Sequence, residues 1–307
     1  MIVTSLPTGV PTPTTTTSAH VRGLLDAAAV TPAYRAALHM ALALPGNILS
    51  DDPNLRWACL VWTCCTAVGG DRERAVPAAV AAEIFMVALD VLDDEEDCED
   101  TQLHATLGSA RTLNVSTGLL LLAQQALLDT EAGATAVRLL LKAGLCACAR
   151  QHADLTPAPE RCVSLNGSLT VAGEKSASLV AAICRLGALC AGADAPLQEL
   201  YGRFGWNVGM AAQLTNDIAA IRPDALGKTD IALERPALPL TYAALLDLDV
   251  DPHGDAAEAR DSLWKSGARY FTWIIAETYR RRALDLVPQL AIDYDEQTVL
   301  AALLDEP

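Results

Sequence analysis

Apolar and polar positions follow each other along this chain with the period of an α-helix. From His20 onward, apolar residues recur three and four positions apart in each long segment, which is the spacing of one helix face. The pattern predicts helices over residues 20–29, 33–44, 54–67, 77–94, 108–130, 134–150, 162–171, 175–192, 196–220, 236–247, 255–282 and 296–304. No segment has the alternating pattern of a β-hairpin. We therefore predict an all-α fold, a single large antiparallel helical bundle over residues 19–307.

The first 18 residues differ from the rest of the chain. They contain frequent Pro and Thr and have no hydrophobic period, so we predict a disordered tail over residues 1–18. They lack the basic start of a secretory signal, and nothing in them indicates a cleaved targeting segment.

Composition excludes several classes of function. Hydrophobic residues make up 51% of the chain and the formal net charge is −16, which argues against binding to nucleic acid or to an anionic membrane surface. A charged residue or Gly interrupts each apolar run before the roughly 18 residues of a membrane span, so we do not expect an integral membrane protein. The nine cysteines lack metal-site spacing, which indicates reduced thiols and a cytoplasmic location.

An acidic cluster follows the most apolar predicted helix. The apolar segment 78–89 runs directly into carboxylates at positions 90, 93, 94 and 97. A helix C-terminus disfavours anions, and neighbouring carboxylates repel each other, so a cation is needed to compensate them. Residues four apart lie on one helix face, and a stripe of carboxylate oxygens suits Mg²⁺ with substrate phosphates. The alternative is a solvated acidic helix end.

A second polar group closes the predicted helix 196–220. Gln213 and Asp217 share one face, and Asn216 lies on another with Asp224 beyond it. A pair of cations, Lys228 and Arg235, flanks the following loop, and Lys175-Ser176 opens a predicted helix, where a phosphate could bind. Each of these features alone is compatible with a helix cap or a surface ion pair.

The order of these segments, from about residue 54 to 245, resembles the trans-isoprenyl diphosphate synthase family within the class I isoprenoid (terpenoid) synthases. Asp93, Asp94 and Asp97 match the DDxxD motif of the family, Gln151 and Asp154 its GQxxD, and Lys175 its KT. Gln213, Asn216 and Asp217 match its FQxxDD, and Lys228 its GK. Arg235 matches the Lys before its TLP segment, and Leu238-Pro239 match the LP of that segment. The resemblance implies an isoprenoid-synthase bundle in which three Mg²⁺ ions join two acidic walls to the diphosphate of an allylic prenyl substrate. It also implies a homodimer.

The resemblance also implies roles for individual residues. Metal ligands are expected at Asp93, Asp94, Asp97, Asn216, Asp217 and Asp224. Contacts to the substrate diphosphate are expected from Lys175, Lys228, Arg235, Gln151 and Gln213, and catalysis is expected to depend on the first acidic motif with Lys175 and Lys228. The prenyl pocket is expected to include Phe85, Ala88, Leu89 and Trp206, with room for a C15 or C20 chain.

Two departures from the family pattern bear on the reaction. The cationic segments that hold isopentenyl diphosphate in the family are missing, and Arg56 is the one candidate left in the early segment. The second acidic motif reads NDIAA and looks like a degraded terpene cyclase triad. We therefore expect a terpene synthase that ionises an allylic prenyl diphosphate alone. The alternatives are chain elongation with a pocket built from Arg56, Arg72, Arg74 or Arg111, prenyl transfer to another acceptor such as a peptide side chain, and a non-catalytic subunit.

Overall fold

The computed structural model describes residues 14–128, 130–155, 164–225, 237–247, 256–291 and 293–304, and the fold within these ranges is all-α. Fifteen α-helices occur in them, and no strand is present in the same ranges. The helices are α1 Thr14–Ala27, α2 Pro32–Leu42, α3 Arg56–Ala67, α4 Val76–Glu96, α5 Gln102–Leu107, α6 Ser109–Leu128, α7 Gly133–Leu155, α8 Leu165–Ala172, α9 Ser178–Cys190, α10 Ala195–Ala220, α11 Leu238–Leu245, α12 Ala256–Lys265, α13 Ala268–Leu284, α14 Val287–Leu290 and α15 Tyr294–Ala302.

Helix α4 is the centre of the bundle. It contacts α1, α3, α6 and α9, so almost every side chain from Val76 to Ala88 is buried. Because no face meets water, the segment Glu73–Glu96 is long and apolar enough to cross a membrane by composition, and 78% of its most apolar window is buried inside the protein. As the sequence analysis expects, charged residues interrupt its apolar run, here at Glu83 and Asp90. Its apolar character reflects its central position.

The predicted helices differ from the structure in several places. Helix α1 begins at Thr14, inside the predicted tail, because Thr17 and Val21 are fully buried against the bundle; residues 1–13 lie outside the described ranges. The predicted helix 255–282 is two helices, α12 and α13. Gly267 separates them with φ +91°, a conformation that glycine adopts without steric cost. The short helix α5 was also not predicted.

A buried carboxylate on α4 caps the start of α3. The Glu83 side chain is 3% exposed, and its Oε1 accepts a hydrogen bond of 2.8 Å from the Ala58 backbone N–H. Helix α3 has no capping side chain of its own at Leu55, so Glu83 satisfies a donor that the helix cannot pair internally. Burial raises the pKa of Glu83 to about 8, although the backbone hydrogen bonds and Arg56 oppose the shift.

The raised pKa of Glu83 predicts a pH-dependent stability. Above its ordinary pKa of 4.5 the unfolded chain loses this proton, whereas the folded protein retains it up to about pH 8. The free energy of unfolding therefore falls as the pH rises through this interval and levels off above it. In Glu83→Gln this contribution is absent, so the stability of the variant relative to the wild type is expected to rise by on the order of 1–3 kcal/mol between pH 6 and pH 9.

Urea unfolding at pH 6, 7, 8 and 9 measures this difference. Glu258→Gln, at an exposed position on α12, is the matched control and is expected to follow the wild-type profile. Parallel profiles for the wild type and Glu83→Gln would show that Glu83 is ionised in the folded protein at neutral pH.

Candidate active site

A cavity of about 580 Å³ opens beside the C-terminal half of α4. Its walls come from α4, α7, α8, α9, α10 and the segment before α3. The lining residues are Pro45, Gly46, Asn47, Asn54, Arg56, Trp57, Glu83, Met86, Val87, Leu89, Asp90, Leu92, Asp93, Glu96, Ala147, Cys148, Gln151, Ser168, Val171, Ala172, Lys175, Ser176, Leu179, Val180, Gln213, Asn216, Asp217 and Ala237. Both predicted polar walls therefore contribute to one cavity.

The acidic wall of the cavity is formed by Asp90, Asp93 and Glu96. Successive residues on a helix turn by about 100°, so positions three apart stay on nearly the same face. Asp93 belongs to the predicted metal triad. Asp94 and Asp97, its other members, are not among the residues that line the cavity, and Asp97 is the C-cap residue of α4.

The carboxylates at the end of α4 destabilise each other's charge. Burial, followed by repulsion from Asp94 and Asp93, raises the pKa of Asp90 to about 6, and Arg56 opposes the shift. Asp90 is open to the cavity, yet protein surrounds that cavity, which explains why its charge is poorly solvated. Burial and the charges of Glu99 and Asp93 likewise raise the pKa of Asp94 to about 6. This wall therefore attracts a cation.

Lys175 lies opposite this wall. Its Nζ donates a hydrogen bond of 2.9 Å to Asp93 Oδ1. The sequence-based expectation that Lys175 opens a helix is wrong, since α8 and α9 are continuous through a π-helical turn, Gly173–Ala177. A π turn often marks a functional position in a helix. Here it brings both Lys175 and Ser176 to the cavity.

The second polar wall is a chain of hydrogen bonds. Ser176 Oγ donates to Gln213 Oε1 at 2.6 Å, and Gln213 Nε2 donates to Asp217 Oδ1 at 2.9 Å. Asp217 Oδ2 in turn accepts from the Leu238 backbone N–H at 3.4 Å, at the start of α11. Asp217 is 5% exposed, whereas Asn216 is exposed and lines the cavity.

Three other predicted polar residues are not seen at this wall, one because it lies elsewhere and two because they fall outside the described residues. Asp224 is exposed and off the cavity lining, and Arg222 binds it through two hydrogen bonds of 3.0 and 2.7 Å. Its predicted role as a metal ligand is therefore not supported by its position, because α10 ends before it. Lys228 and Arg235 lie outside the described residues.

Gln151, a predicted contact to the substrate diphosphate, has a buried side-chain amide without hydrogen-bond partners. Its side chain lines the cavity and is 7% exposed. Neither its Nε2 nor its Oε1 has a hydrogen-bond partner. A buried amide without partners costs about 1–3 kcal/mol, so this side chain is suited to a polar ligand in the cavity.

The apolar part of the cavity differs from the predicted pocket. Leu89 lines it, as expected, together with Met86, Val87, Leu179 and Val180. The other predicted pocket residues, Phe85, Ala88 and Trp206, do not line it. Phe85 and Ala88 are buried, and the Ala88 carbonyl accepts a hydrogen bond from Ser116 Oγ on α6. Trp206 is 37% exposed outside the cavity.

Sequence analysis placed Asp90 in the acidic stripe and Ser176 at a possible phosphate contact, but it did not include either among the assigned site residues, and it gave Glu83 no role. The spacing of Asp90, three residues before Asp93 on the same helix face, supports its inclusion. Glu83 is a charged residue inside the apolar segment that leads to the acidic cluster, which is itself a signal for a buried functional or capping role. The hydrogen bond from Ser176 to Gln213 depends on tertiary packing.

The donor set fits Mg²⁺ that is completed by a phosphate-bearing ligand. Within the described ranges, no group of three or more His, Cys, Asp or Glu side chains is arranged to hold a metal by itself. Mg²⁺ commonly uses one or two carboxylates and takes its remaining ligands from water and substrate phosphates. Asp90 and Asp93 on one wall, with Asn216 and Asp217 on the other, supply such oxygen donors.

The chain matches the family model for polyprenyl synthetase over residues 54–250. A (2E,6E)-farnesyl diphosphate synthase of Mycobacterium tuberculosis (strain ATCC 25618 / H37Rv) is 30% identical over 258 residues, which cover 80% of this chain and 65% of that protein. The geranylgeranyl diphosphate synthase of the same organism is 29% identical over 212 residues, 61% of this chain and 57% of that protein. The chain thus spans about two thirds or less of the length of these relatives.

Solved structures have the same fold. A polyprenyl synthetase from Streptomyces coelicolor A3(2) superposes with a TM-score of 0.81 at 22% identity, over 94% of this chain and 96% of that one. A polyprenyl synthase from Caulobacter crescentus CB15, complexed with calcium and isoprenyl diphosphate, also gives a TM-score of 0.81 at 22% identity, over 94% and 93% of the two chains. The predicted all-α bundle of the isoprenoid-synthase type is confirmed.

Proposed function

The chain belongs to the polyprenyl synthetase family, and on that premise we propose that it is a Mg²⁺-dependent prenyltransferase that ionises an allylic prenyl diphosphate in the cavity beside α4. The observation that carries this proposal is the pairing of Asp93 with Lys175 at 2.9 Å across the cavity. An acidic wall and a cation face each other where a diphosphate and its metal ions would have to meet.

Mg²⁺, held by Asp90, Asp93, Asn216 and Asp217, would neutralise charge on the diphosphate when bound. Lys175 then exchanges its hydrogen bond to Asp93 for one to a diphosphate oxygen. As the allylic C–O bond breaks, its electron pair leaves with the diphosphate, and a preorganised ammonium stabilises that developing charge. The Gln151 amide, which has no partner, donates a hydrogen bond to the diphosphate or orients the prenyl chain.

The apolar part of the cavity protects the allylic cation that remains. Met86, Leu89, Leu179 and Val180 exclude water from it, and Trp57, an aromatic residue on the lining, offers a π face to a positive charge. No nucleophilic side chain is needed, because the acceptor attacks the cation directly and then loses a proton.

The acceptor that the relatives favour is isopentenyl diphosphate. The relatives named above are prenyl diphosphate synthases, which supports chain elongation, the alternative weighed in the sequence analysis, over the terpene synthase expected first. Arg56 lines the cavity and could contribute to the pocket for the second diphosphate. Arg72, Arg74 and Arg111, the other cations considered for that pocket, do not line the cavity.

One observation keeps the terpene synthase as a second candidate. Among the described residues that line the cavity, Arg56 and Lys175 are the only cations, and Lys175 is paired with Asp93. Two diphosphates carry about six negative charges, so a site for both would place most of the compensation on Mg²⁺. A single allylic diphosphate needs less compensation of negative charge.

A product assay separates these candidates. The purified protein is incubated with Mg²⁺ and geranyl, farnesyl or geranylgeranyl diphosphate, with and without isopentenyl diphosphate, and the products are identified by mass spectrometry. Chain elongation predicts longer prenyl diphosphates that require isopentenyl diphosphate. Hydrocarbons or alcohols formed from the allylic diphosphate alone would establish the terpene synthase, and a lack of diphosphate release under all conditions would contradict both.

A homodimer and a cytoplasmic location complete the proposal. Leu113, Leu121 and Leu128 on α6 are 39–62% exposed, and Leu141 and Leu145 on α7 are 37% and 71% exposed. Helices α6 and α7 pack against each other, and we infer that these leucines belong to one apolar surface that a second copy can cover. The eight cysteines in the described part of the chain are free, which supports a reducing compartment.

This surface predicts the effect of a charge on the oligomeric state. Leu121→Glu combined with Leu145→Glu is expected to convert a dimer, of twice the 32.4 kDa chain mass, into a monomer in light scattering after gel filtration, because two carboxylates would be buried without partners. Leu245→Glu, at a position on α11 that is 51% exposed, is the control and is expected to leave the mass unchanged. A wild-type protein that elutes as a monomer would refute the dimer.

A further inference from the structure

Trp206 on α10 packs directly behind the π turn that carries Lys175. A Cβ atom placed on Gly173, the first residue of this turn, would lie 2.5 Å from Trp206 Cζ2 and 2.7 Å from its Cη2. Contacts this close between carbon atoms are not tolerated, so the absence of a side chain at Gly173 is what allows the edge of the indole ring to rest on the backbone.

The other end of the π turn is held by the same helix. A Cβ atom on Gly209 would lie 2.6 Å from the Cα of Ala177, the last residue of the turn. Gly209 and Trp206 are three residues apart on α10, and therefore on one face of that helix. The two ends of the turn thus rest on adjacent positions of α10, while Lys175 and Ser176 between them line the cavity.

A π turn has poorer backbone geometry than an α-helix and needs support from its surroundings. Its five-residue step is seen in the hydrogen bond from the Ser178 N–H to the Gly173 carbonyl. If this support were removed, the segment could relax toward a regular helix, and the direction of Lys175 relative to Asp93 would change.

We propose that Trp206 is a positioning residue: it braces the π turn at Gly173 and thereby aims Lys175 across the cavity at Asp93 and at the leaving diphosphate. This inference rests on the proposed function for the identity of the ligand. It also replaces the expected role of Trp206 as a pocket residue, because its indole ring lies outside the cavity lining.

The test compares Trp206→Ala, Trp206→Phe and Gly173→Ala in Mg²⁺-dependent diphosphate release. Trp206→Ala and Gly173→Ala are expected to lower kcat about tenfold or more with KM within about twofold, since a misaligned group mainly loses transition-state stabilisation. Trp206→Phe keeps a ring on Gly173 and is expected to retain kcat within about threefold. Gly23→Ala on α1, where a Cβ meets nothing within 4 Å, is the control.

A double-mutant cycle distinguishes positioning from general stability. In a Lys175→Ala background, Trp206→Ala is expected to lower kcat by less than about twofold, because its effect acts through Lys175. In Gly173→Ala/Trp206→Ala the steric conflict is removed, so the unfolding temperature is expected to return to that of Trp206→Ala while kcat stays low. Additive losses with Lys175→Ala, or recovery of kcat together with stability, would overturn the proposal.

A binding measurement separates this inference from the proposed function. Calorimetry with inorganic pyrophosphate and Mg²⁺ needs no turnover. Free pyrophosphate carries the charge that the leaving group gains only when the C–O bond breaks, so Trp206→Ala is expected to weaken its binding to the same extent as Lys175→Ala, although KM for the substrate changes little. If the wild type releases no diphosphate from any prenyl substrate, the proposed function fails, and the calorimetry alone decides the role of Trp206. Unchanged pyrophosphate binding in Trp206→Ala, alongside a loss in Lys175→Ala, would overturn the inference.

Discussion

Replacing Asp93 with Asn is expected to lower kcat for diphosphate release by about a hundred- to a thousandfold. Asp93 faces the cavity and is the carboxylate that Lys175 contacts. Asn keeps the size of the side chain but removes the charge that would hold Mg²⁺ at this wall. Initial rates measured over a range of Mg²⁺ concentrations test the prediction, and the apparent Mg²⁺ affinity is expected to fall together with kcat.

Three further substitutions test which carboxylates act. Asp90→Asn is expected to reduce the rate more than Asp97→Asn, since Asp90 lines the cavity and Asp97 does not. Asp224→Asn is expected to leave kcat within about twofold, because Asp224 is exposed and paired with Arg222. A larger loss in Asp97→Asn than in Asp90→Asn would show that the end of α4 rearranges when substrate and metal bind.

Replacing Lys175 with Gln is expected to lower kcat by about a hundredfold or more, with a smaller change in KM. The charge on the diphosphate grows as the C–O bond breaks, so the ammonium group stabilises the transition state more than the ground state. The free energy of unfolding is expected to change by less than about 1 kcal/mol, because the side chains of the Asp93–Lys175 pair are 40% and 26% exposed and solvent screens them.

Lys265→Gln provides the matched control. Lys265 forms an ion pair with Asp261 four residues earlier on α12, and neither residue lines the cavity. Its substitution is expected to leave kcat unchanged. Steady-state kinetics and urea unfolding on the same preparations distinguish a catalytic loss from a loss of folded protein, and wild-type kcat in Lys175→Gln would remove Lys175 from the mechanism.

Sequence reasoning located the helices well because their signal is local. Most of the long helices bury one face, so the 3.6-residue period can be read directly from the order of residues. It failed where a single position decides the outcome. Gly267 inside an otherwise helical pattern ends α12 only because the chain adopts a positive φ there, and the segment Gly173–Ala177 has no composition that distinguishes a π turn from an α-helix.

The site was predicted with similar limits. Asp93, Asn216, Asp217, Gln151, Gln213 and Lys175 were singled out from the sequence and all line one cavity. Asp94, Asp97, Phe85 and Ala88 were assigned to the site from motif positions, yet they are not among the residues that line this cavity. A motif gives the positions of residues along a helix, whereas the direction of each side chain depends on how that helix is rotated in the bundle.

The sequence by itself determined that this chain forms helices, that carboxylates end its most apolar helix, and that amide and acidic groups end a later one. These features are properties of neighbouring residues. Only the tertiary structure decided that Asp93, Lys175 and Gln213 share one cavity, that Asp224 lies off it, and that Trp206 lies behind Gly173. The physical reason is that α4 and α10 are each rotated to satisfy packing against several other helices at once, and no local pattern records that rotation.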